Sequence, residues 1–134
     1  MIICIIGSGG REHSICKTIS TSSKVSKIYC LPGNAGTQKL ADNINLDIDN
    51  FEKVLKFLKE SKVDLVIVGP EKPLVNGIVD YLESNKIKVF GPRKIPAQLE
   101  GSKTFTKNIC KKYNIPTAEF GIFKNIKDSI NFLE

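Results

Sequence analysis

Apolar residues along this chain alternate between two rhythms, and the alternation predicts a fold class. Ile2-Ile3-Cys4-Ile5-Ile6 is apolar throughout, as strands covered on both faces of a parallel sheet tend to be. Residues 11–18 then predict a helix, with Ile15 and Ile19 four apart on its inner face. Lys27-Ile28-Tyr29-Cys30-Leu31 predicts a second strand, stopped by the turn formers of Pro32-Gly33-Asn34-Ala35-Gly36. Asp49 predicts a helix start, with Glu52 three residues on completing a capping box. Phe51, Val54, Leu55 and Leu58 recur at i, i+3, i+4 and i+7, so that helix lays one face on a sheet. Residues 63–68 predict a third strand, and Gly69-Pro70-Glu71-Lys72-Pro73 a loop at its carboxyl end. The next helix carries Val75, Ile78, Val79 and Leu82 on one face, and Ile87-Lys88-Val89-Phe90 predicts a fourth strand, ended by Gly91-Pro92.

Four strands alternating with helices predict an α/β fold, a doubly wound and mainly parallel sheet with right-handed crossovers. Ligands of such sheets sit outside the carboxyl ends of the strands. The glycine-bearing loops at 7–13, 32–36 and 69–77 all lie there and are expected to converge on one crevice. After Pro92 the texture changes. Leu99-Glu100-Gly101-Ser102-Lys103 leads into a lysine-rich helix over 104–113, followed by Asn114-Ile115-Pro116-Thr117. Residues 127–134 read as the opening of another helix, with Ile126, Ile130 and Leu133 apolar. That stripe has nothing to pack against, so the chain is expected to be the front part of a longer protein.

Composition narrows the partners. Of 134 residues, 41% are apolar and 25% charged, an ordinary balance for a soluble globular chain. The apolar runs are strand-sized, which excludes a membrane helix, and no basic leader precedes the first strand. The formal charge of +6 comes from lysine, since Arg11 and Arg93 are the only arginines among 20 basic residues. Lys53, Lys56, Lys59 and Lys62 read as a solvated helix face, and no cluster of arginine with aromatics marks a nucleic-acid surface. Attraction of small anionic substrates is the better use of that charge. Cys4, Cys16, Cys30 and Cys110 show no C-x-x-C spacing, so buried reduced thiols in a cytoplasmic protein are expected, with no zinc site.

The chemistry concentrates in Gly7-Ser8-Gly9-Gly10-Arg11-Glu12-His13, directly behind the first strand. Glycines let the backbone approach an anion closely, and the helix that follows presents unsatisfied N–H groups and the positive end of its dipole. A dinucleotide fingerprint wants G-x-G-x-x-G and an acidic residue ending the second strand. Here Glu12 stands where the third glycine belongs, and the second strand ends in Leu31-Pro32-Gly33. Two diagnostic parts are missing.

With the glycine turn, Pro32-Gly33-Asn34-Ala35-Gly36, Val68-Gly69-Pro70-Glu71, Pro73-Leu74-Val75, Gly91-Pro92, Leu99-Glu100-Gly101-Ser102-Lys103 and Ile115-Pro116-Thr117-Ala118 in order, essentially the whole chain resembles the amino-terminal part of the phosphoribosylamine–glycine ligase (glycinamide ribonucleotide synthetase) family of ATP-grasp enzymes. The resemblance implies a Rossmann-like substrate-binding domain over residues 1–100 that precedes an ATP-grasp domain. Residues 101–134 would be the linker and truncated start of the latter. It implies ATP-dependent ligation of glycine to 5-phosphoribosylamine in purine synthesis, with ATP and Mg2+ required and the magnesium ligands beyond Glu134. The small-molecule partners implied are 5-phosphoribosylamine, glycine and ATP, with no nucleic acid and no membrane. Carried over, Gly9, Gly10 and Arg11 would meet the 5′-phosphate. Asn34, Ala35 and Gly36 would close one side of the sugar, and Glu71 would accept from the ribose hydroxyls or the amine. Gly69, Pro70 and Gly77 would line the same crevice. Lys103 would contact ATP. This piece alone is expected to fold through residue 100 or so without forming glycinamide ribonucleotide.

Each assignment has a plain competitor. Gly7 and Gly9 serve a tight strand–helix turn equally well, and Arg11 reads also as a solvated first-turn residue. Glu12 stands level between helix cap and ligand contact. His13 suits orienting or core packing better than proton transfer. Glu71 and Lys103 are each also ordinary surface residues. Gly77 inside a helix costs up to ~1 kcal/mol relative to alanine, which points to a close approach of ligand or strand. A dinucleotide-binding oxidoreductase, which NAD would stabilise thermally, and a non-catalytic phosphosugar-binding module remain the alternatives at this stage.

Overall fold

The computed structural model describes residues 1–133 and divides into two compact units, Met1–Ala97 and Gln98–Glu134. The first is built from β1 (Ile2–Gly7), α1 (Gly10–Ser20), β2 (Lys27–Pro32), a single 3-10 turn (Thr37–Lys39), β3 (Asp42–Asn43), α2 (Phe51–Glu60), β4 (Leu65–Val68), α3 (Glu71–Asn76), α4 (Ile78–Ser84) and β5 (Val89–Phe90). Its sheet is parallel throughout, in the order β3-β2-β1-β4-β5. The predicted doubly wound α/β class is the one observed.

The unbroken apolar character of β1 has a direct explanation. Ile3 and Ile5 belong to one core, with Cys16 from α1 and Ile28 and Cys30 from β2. Cys4 and Ile6 point the other way, into a core with Val54 and Leu58 of α2, Leu74 of α3, and Ile78, Val79 and Leu82 of α4. Successive strand residues face opposite sides, and both sides are covered. The period of α2 is as predicted, with Val54 and Leu58 fully buried.

Several details differ from expectation. The helix cap is Asn50, whose Oδ1 accepts from the Lys53 N–H, while the Asp49 carboxylate receives Lys72 Nζ. Asn50 offers the same short acceptor one residue later, so the Asp49–Glu52 box does not form. A fifth strand, β3, pairs with β2; two polar residues carry no apolar alternation to announce it. The helix expected through Val75 and Leu82 is two helices, because Gly77 adopts φ +95° and ends α3. The apolar spacing runs on because α4 starts immediately afterwards. Glu71 opens α3 rather than lying in a loop.

In the second unit, α5 (Lys94–Gly101, shared across the boundary) closes with Leu99-Glu100-Gly101, and Ser102 caps α6 (Lys103–Lys112) by accepting from the Phe105 N–H. The last helix is α7 (Ile126–Leu133), with Asn125 Oδ1 accepting from the Asp128 N–H. Glu134, included in the expected final helix, lies outside the described residues. No described side chain of residues 98–133 is buried.

All four cysteines are free, and Cys4, Cys16 and Cys30 are buried. Burial, reinforced by neighbouring Cys16, pushes the Cys30 thiol from its ordinary value of 9.0 up to about 12. Burial also raises Cys4 and Cys16. The unfolded chain therefore releases these protons at lower pH than the folded one. Their contribution to stability is complete below about pH 9 and is lost as pH rises toward 12. Urea unfolding at about pH 8 and about pH 10 should show the lower midpoint at the alkaline value, and native-state alkylation should reach Cys110 before the other three.

Candidate functional site

Parallel register sets the carboxyl ends of the central strands level. Gly7 of β1 lies opposite Pro32 of β2, and Ile6 lies opposite both Leu31 and Val68. The chain then leaves each strand through a glycine: the Gly33 N–H donates to the Gly7 carbonyl at 3.1 Å and the Gly69 N–H to that of Ile6 at 3.0 Å. The three loops predicted to converge are thus joined by backbone hydrogen bonds.

A polar crevice of about 350 Å³ opens there, lined by Ser8, Gly9, Gly10, Arg11, Glu12, Pro70 and Glu71. Six of these seven are sequence-predicted site residues; Ser8 is the addition. Gly9 caps α1, and its own N–H donates to Glu12 Oε2 at 2.6 Å. The remaining first-turn N–H groups of an α-helix point out of its end. A Cβ at Gly10 would meet nothing within 4 Å, so its backbone borders open space. Arg11 Nη1 donates to the Gly69 carbonyl, and Nη2 donates to Glu71 Oε1 at 2.8 Å. Both partners of that ion pair are about half exposed, where such a pair contributes only about 0–1 kcal/mol.

Asn34 fastens the second loop to the first. Its Nδ2 donates to the carbonyls of Ser8 and Gly9, and its Oδ1 accepts from the N–H groups of Gly36 and Thr37. Beneath it, the hydroxyl of fully buried Thr37 accepts from the Asn34 N–H and directs its single proton to Asn43 Oδ1, while Asn43 Nδ2 donates to Asn34 O. Asn34 therefore ties the β2 exit to the lining residues Ser8 and Gly9 with a side chain already engaged on both ends. Gly36 lies over His13: a Cβ there would come within 2.8 Å of the imidazole. This gives His13 a packing role. Ala35 is exposed. Thr37 and Asn43 escape a sequence reading because isolated polar residues after a turn carry no periodic signal.

Of the other predicted site residues, Asn34, Ala35, Gly36 and Gly69 belong to the converging loops without lining the crevice, and Gly77 and Lys103 stand elsewhere. Gly77 is not part of the crevice wall; it is the left-handed residue between α3 and α4, and a Cβ there would face Lys94 at 3.3 Å. Its φ, not an approaching ligand, accounts for the glycine. Lys103 belongs to the second unit, at the start of α6, where it lines a cavity of about 150 Å³ with Glu100, Thr106, Lys107 and Thr117. Among the described residues no group of three or more His, Cys, Asp or Glu side chains is placed to hold a metal ion, and no helix is long and apolar enough to cross a membrane.

Fold and site together define an α/β domain with a glycine-bounded polar crevice at the carboxyl ends of its central strands. The chain belongs to the phosphoribosylglycinamide synthetase family, whose N-domain model matches residues 1–100. The phosphoribosylamine–glycine ligase of Caldanaerobacter subterraneus subsp. tengcongensis is 47% identical over 134 residues, which make up 100% of this chain and 32% of that protein. The ligase of Clostridium acetobutylicum is 45% identical with the same coverage of each. The chain thus spans about a third of the length of these relatives. Among solved structures, phosphoribosylamine–glycine ligase from Thermotoga maritima matches with a TM-score of 0.64 at 33% identity, covering 90% of this chain and 27% of that one. N5-carboxyaminoimidazole ribonucleotide synthetase from the same organism matches with a TM-score of 0.70 at 19% identity, covering 98% and 36%, a likeness of fold.

The Asn34 bonds make a test. Asn34→Ala removes two donor bonds that join the loops and two acceptor bonds that fold its own turn, and each is worth about 0.5–1.5 kcal/mol net. The substitution should destabilise the first unit by about 2 kcal/mol or more, measured by chemical denaturation.

Proposed function

We propose that this chain is the front third of a phosphoribosylamine–glycine ligase, and that the crevice between the glycine turn and α3 takes 5-phosphoribosylamine. The observation that carries this reading is the juxtaposition of Arg11, the open end of α1 at Gly10 and the Glu71 carboxylate in one cavity, in a chain of this family. The 5′-phosphate lies against Gly9, Gly10 and Arg11, where backbone N–H groups and a guanidinium both favour an anion. Glu71 accepts from the ribose hydroxyls or the amine. Asn34, Ala35 and Gly36 close the sugar side, with Gly69 and Pro70 forming the opposite lip.

The reaction is ATP-dependent. The γ-phosphoryl group passes to the glycine carboxylate, giving an acyl phosphate and ADP. The amine of phosphoribosylamine then attacks the acyl carbon, and the C–O bond to phosphate breaks, releasing glycinamide ribonucleotide and phosphate. A carboxylate resists the amine until its oxygen becomes part of a leaving group. This chain's crevice orients the amine-bearing sugar and holds its phosphate away from the acyl centre. Residues 101–134 are the opening of the ATP-grasp domain, and Lys103 contacts ATP. The absence of buried side chains among residues 98–133 suits a unit whose core is completed by further chain. Among the described residues no group of three or more His, Cys, Asp or Glu side chains is placed to hold magnesium. A cytoplasmic location fits three free, buried thiols.

The direct test is ATP-, glycine- and phosphoribosylamine-dependent release of ADP and glycinamide ribonucleotide by the full-length protein; an inactive, folded protein would refute the reading. Within it, Arg11→Ala should raise KM for phosphoribosylamine about ten- to a hundredfold, the loss of a charge-assisted hydrogen bond worth roughly 1.5–3 kcal/mol. Gly10→Ala should raise the same KM with no fall in Tm, because the protein leaves room for the methyl group.

A further inference from the structure

Among the described residues Glu12 is the buried acidic side chain, 4% exposed, and helix capping accounts for only one of its contacts. The cap is the 2.6 Å bond from the Gly9 N–H to Oε2. The rest of the carboxylate fills a hollow that three glycines leave. A Cβ on Gly7 would stand 2.6 Å from Glu12 Cγ, one on Gly9 2.9 Å from Oε2, and one on Gly69 only 1.9 Å from Oε1. Gly7 and Gly9 belong to the glycine turn, whereas Gly69 ends β4 in the facing loop. A cap alone requires no bare backbone at residue 69. The glycines that read as a phosphate cradle in the sequence are, at these positions, accommodating a side chain of the protein itself.

The same Gly69 presents its carbonyl to the Arg11 guanidinium. Arg11 and Glu12 are adjacent on α1, so one grips the facing loop by its carbonyl while the other wedges against its α-carbon. We propose that Glu12 is a positioning residue: its carboxylate sets the separation of the glycine turn from the β4–α3 loop, and thereby the place at which Arg11 meets an anionic ligand. Naming phosphoribosylamine as that ligand rests on the proposed function; the wedge itself does not. A displacement on the order of 1 Å at such a site costs up to about a hundredfold in rate or binding.

The wedge is tested by a stability cycle on the full-length protein, using Gly69→Ala, Glu12→Ala and the pair. Gly69→Ala alone should lower Tm sharply, since its methyl group and the carboxylate claim one place. In the Glu12→Ala background the same change should cost little, a strongly non-additive result. Additive effects would overturn the proposal. The positioning role is read in kinetics: Glu12→Ala should raise KM for phosphoribosylamine about tenfold or more, with KM for ATP and for glycine unchanged. Glu12→Gln, which keeps the shape and an acceptor for Gly9, should restore most of the loss. A parallel rise in all three KM values, or an unchanged KM for phosphoribosylamine, would refute positioning. Should Glu12→Ala fail to fold, Glu12→Asp, one methylene shorter, takes its place in both experiments with the same expected directions. If the wild-type protein shows no ligase activity, the proposed function fails, and the stability cycle, which needs no substrate, still decides the wedge.

Discussion

Burial of β1 from both sides is the constraint on which the first unit depends. A strand that contributes Cys4 and Ile6 to one core and Ile3 and Ile5 to the other needs neighbours on both edges and helices on both faces. β2 and β4 supply the edges in matched parallel register, and α1 with α2 and α4 supply the faces. Parallel connection places every exit at the same end of the sheet. The crevice is therefore a consequence of how the core closes.

What turns a set of adjacent loop ends into a defined surface is polar cross-linking. Asn34 ties the β2 exit to the turn after β1, and Arg11 ties that turn to the β4 exit. Neither tie is buried enough to contribute much through charge. Their effect is geometric: backbone carbonyls accept both, so each tie fixes one loop's main chain against its neighbour. The Thr37–Asn43 bond beneath Asn34 is shielded from water, so it holds the loop base while the Arg11–Glu71 pair above remains exchangeable.

The parts of this design that rest on hydrophobic period were legible in the sequence. β1, α1, α2 and β4 follow from apolar spacing, and the convergence of three loops follows from the parallel class. The parts resting on single polar groups were not. β3 consists of Asp42 and Asn43, with no pattern to detect. Asn50 rather than Asp49 caps α2, and two adjacent short acceptors give the sequence no way to rank them. Gly77 preserves helical spacing while reversing its φ, so periodicity alone cannot see the break. Glu12 was level between cap and ligand contact in the sequence because its burial depends on Gly69, fifty-seven residues away, being bare.

The pairing of Arg11 with Glu71 bears on selectivity under the proposed function. A crevice with only a cation at a helix N-terminus accepts inorganic phosphate, ATP phosphates and carboxylates with little distinction. Placing a carboxylate 2.8 Å from the guanidinium repels a second anion there unless the incoming molecule also brings donors for Glu71. A phosphorylated sugar with hydroxyls and an amine satisfies both groups at once, exchanging a half-exposed ion pair of small worth for two charge-assisted contacts. A free anion satisfies one and leaves the other facing like charge. Specificity of this kind arises from the penalty on the wrong ligand as much as from attraction for the right one, and it requires that Arg11 and Glu71 stay within reach of each other, which is the distance the Glu12 wedge and the Gly69 carbonyl jointly hold.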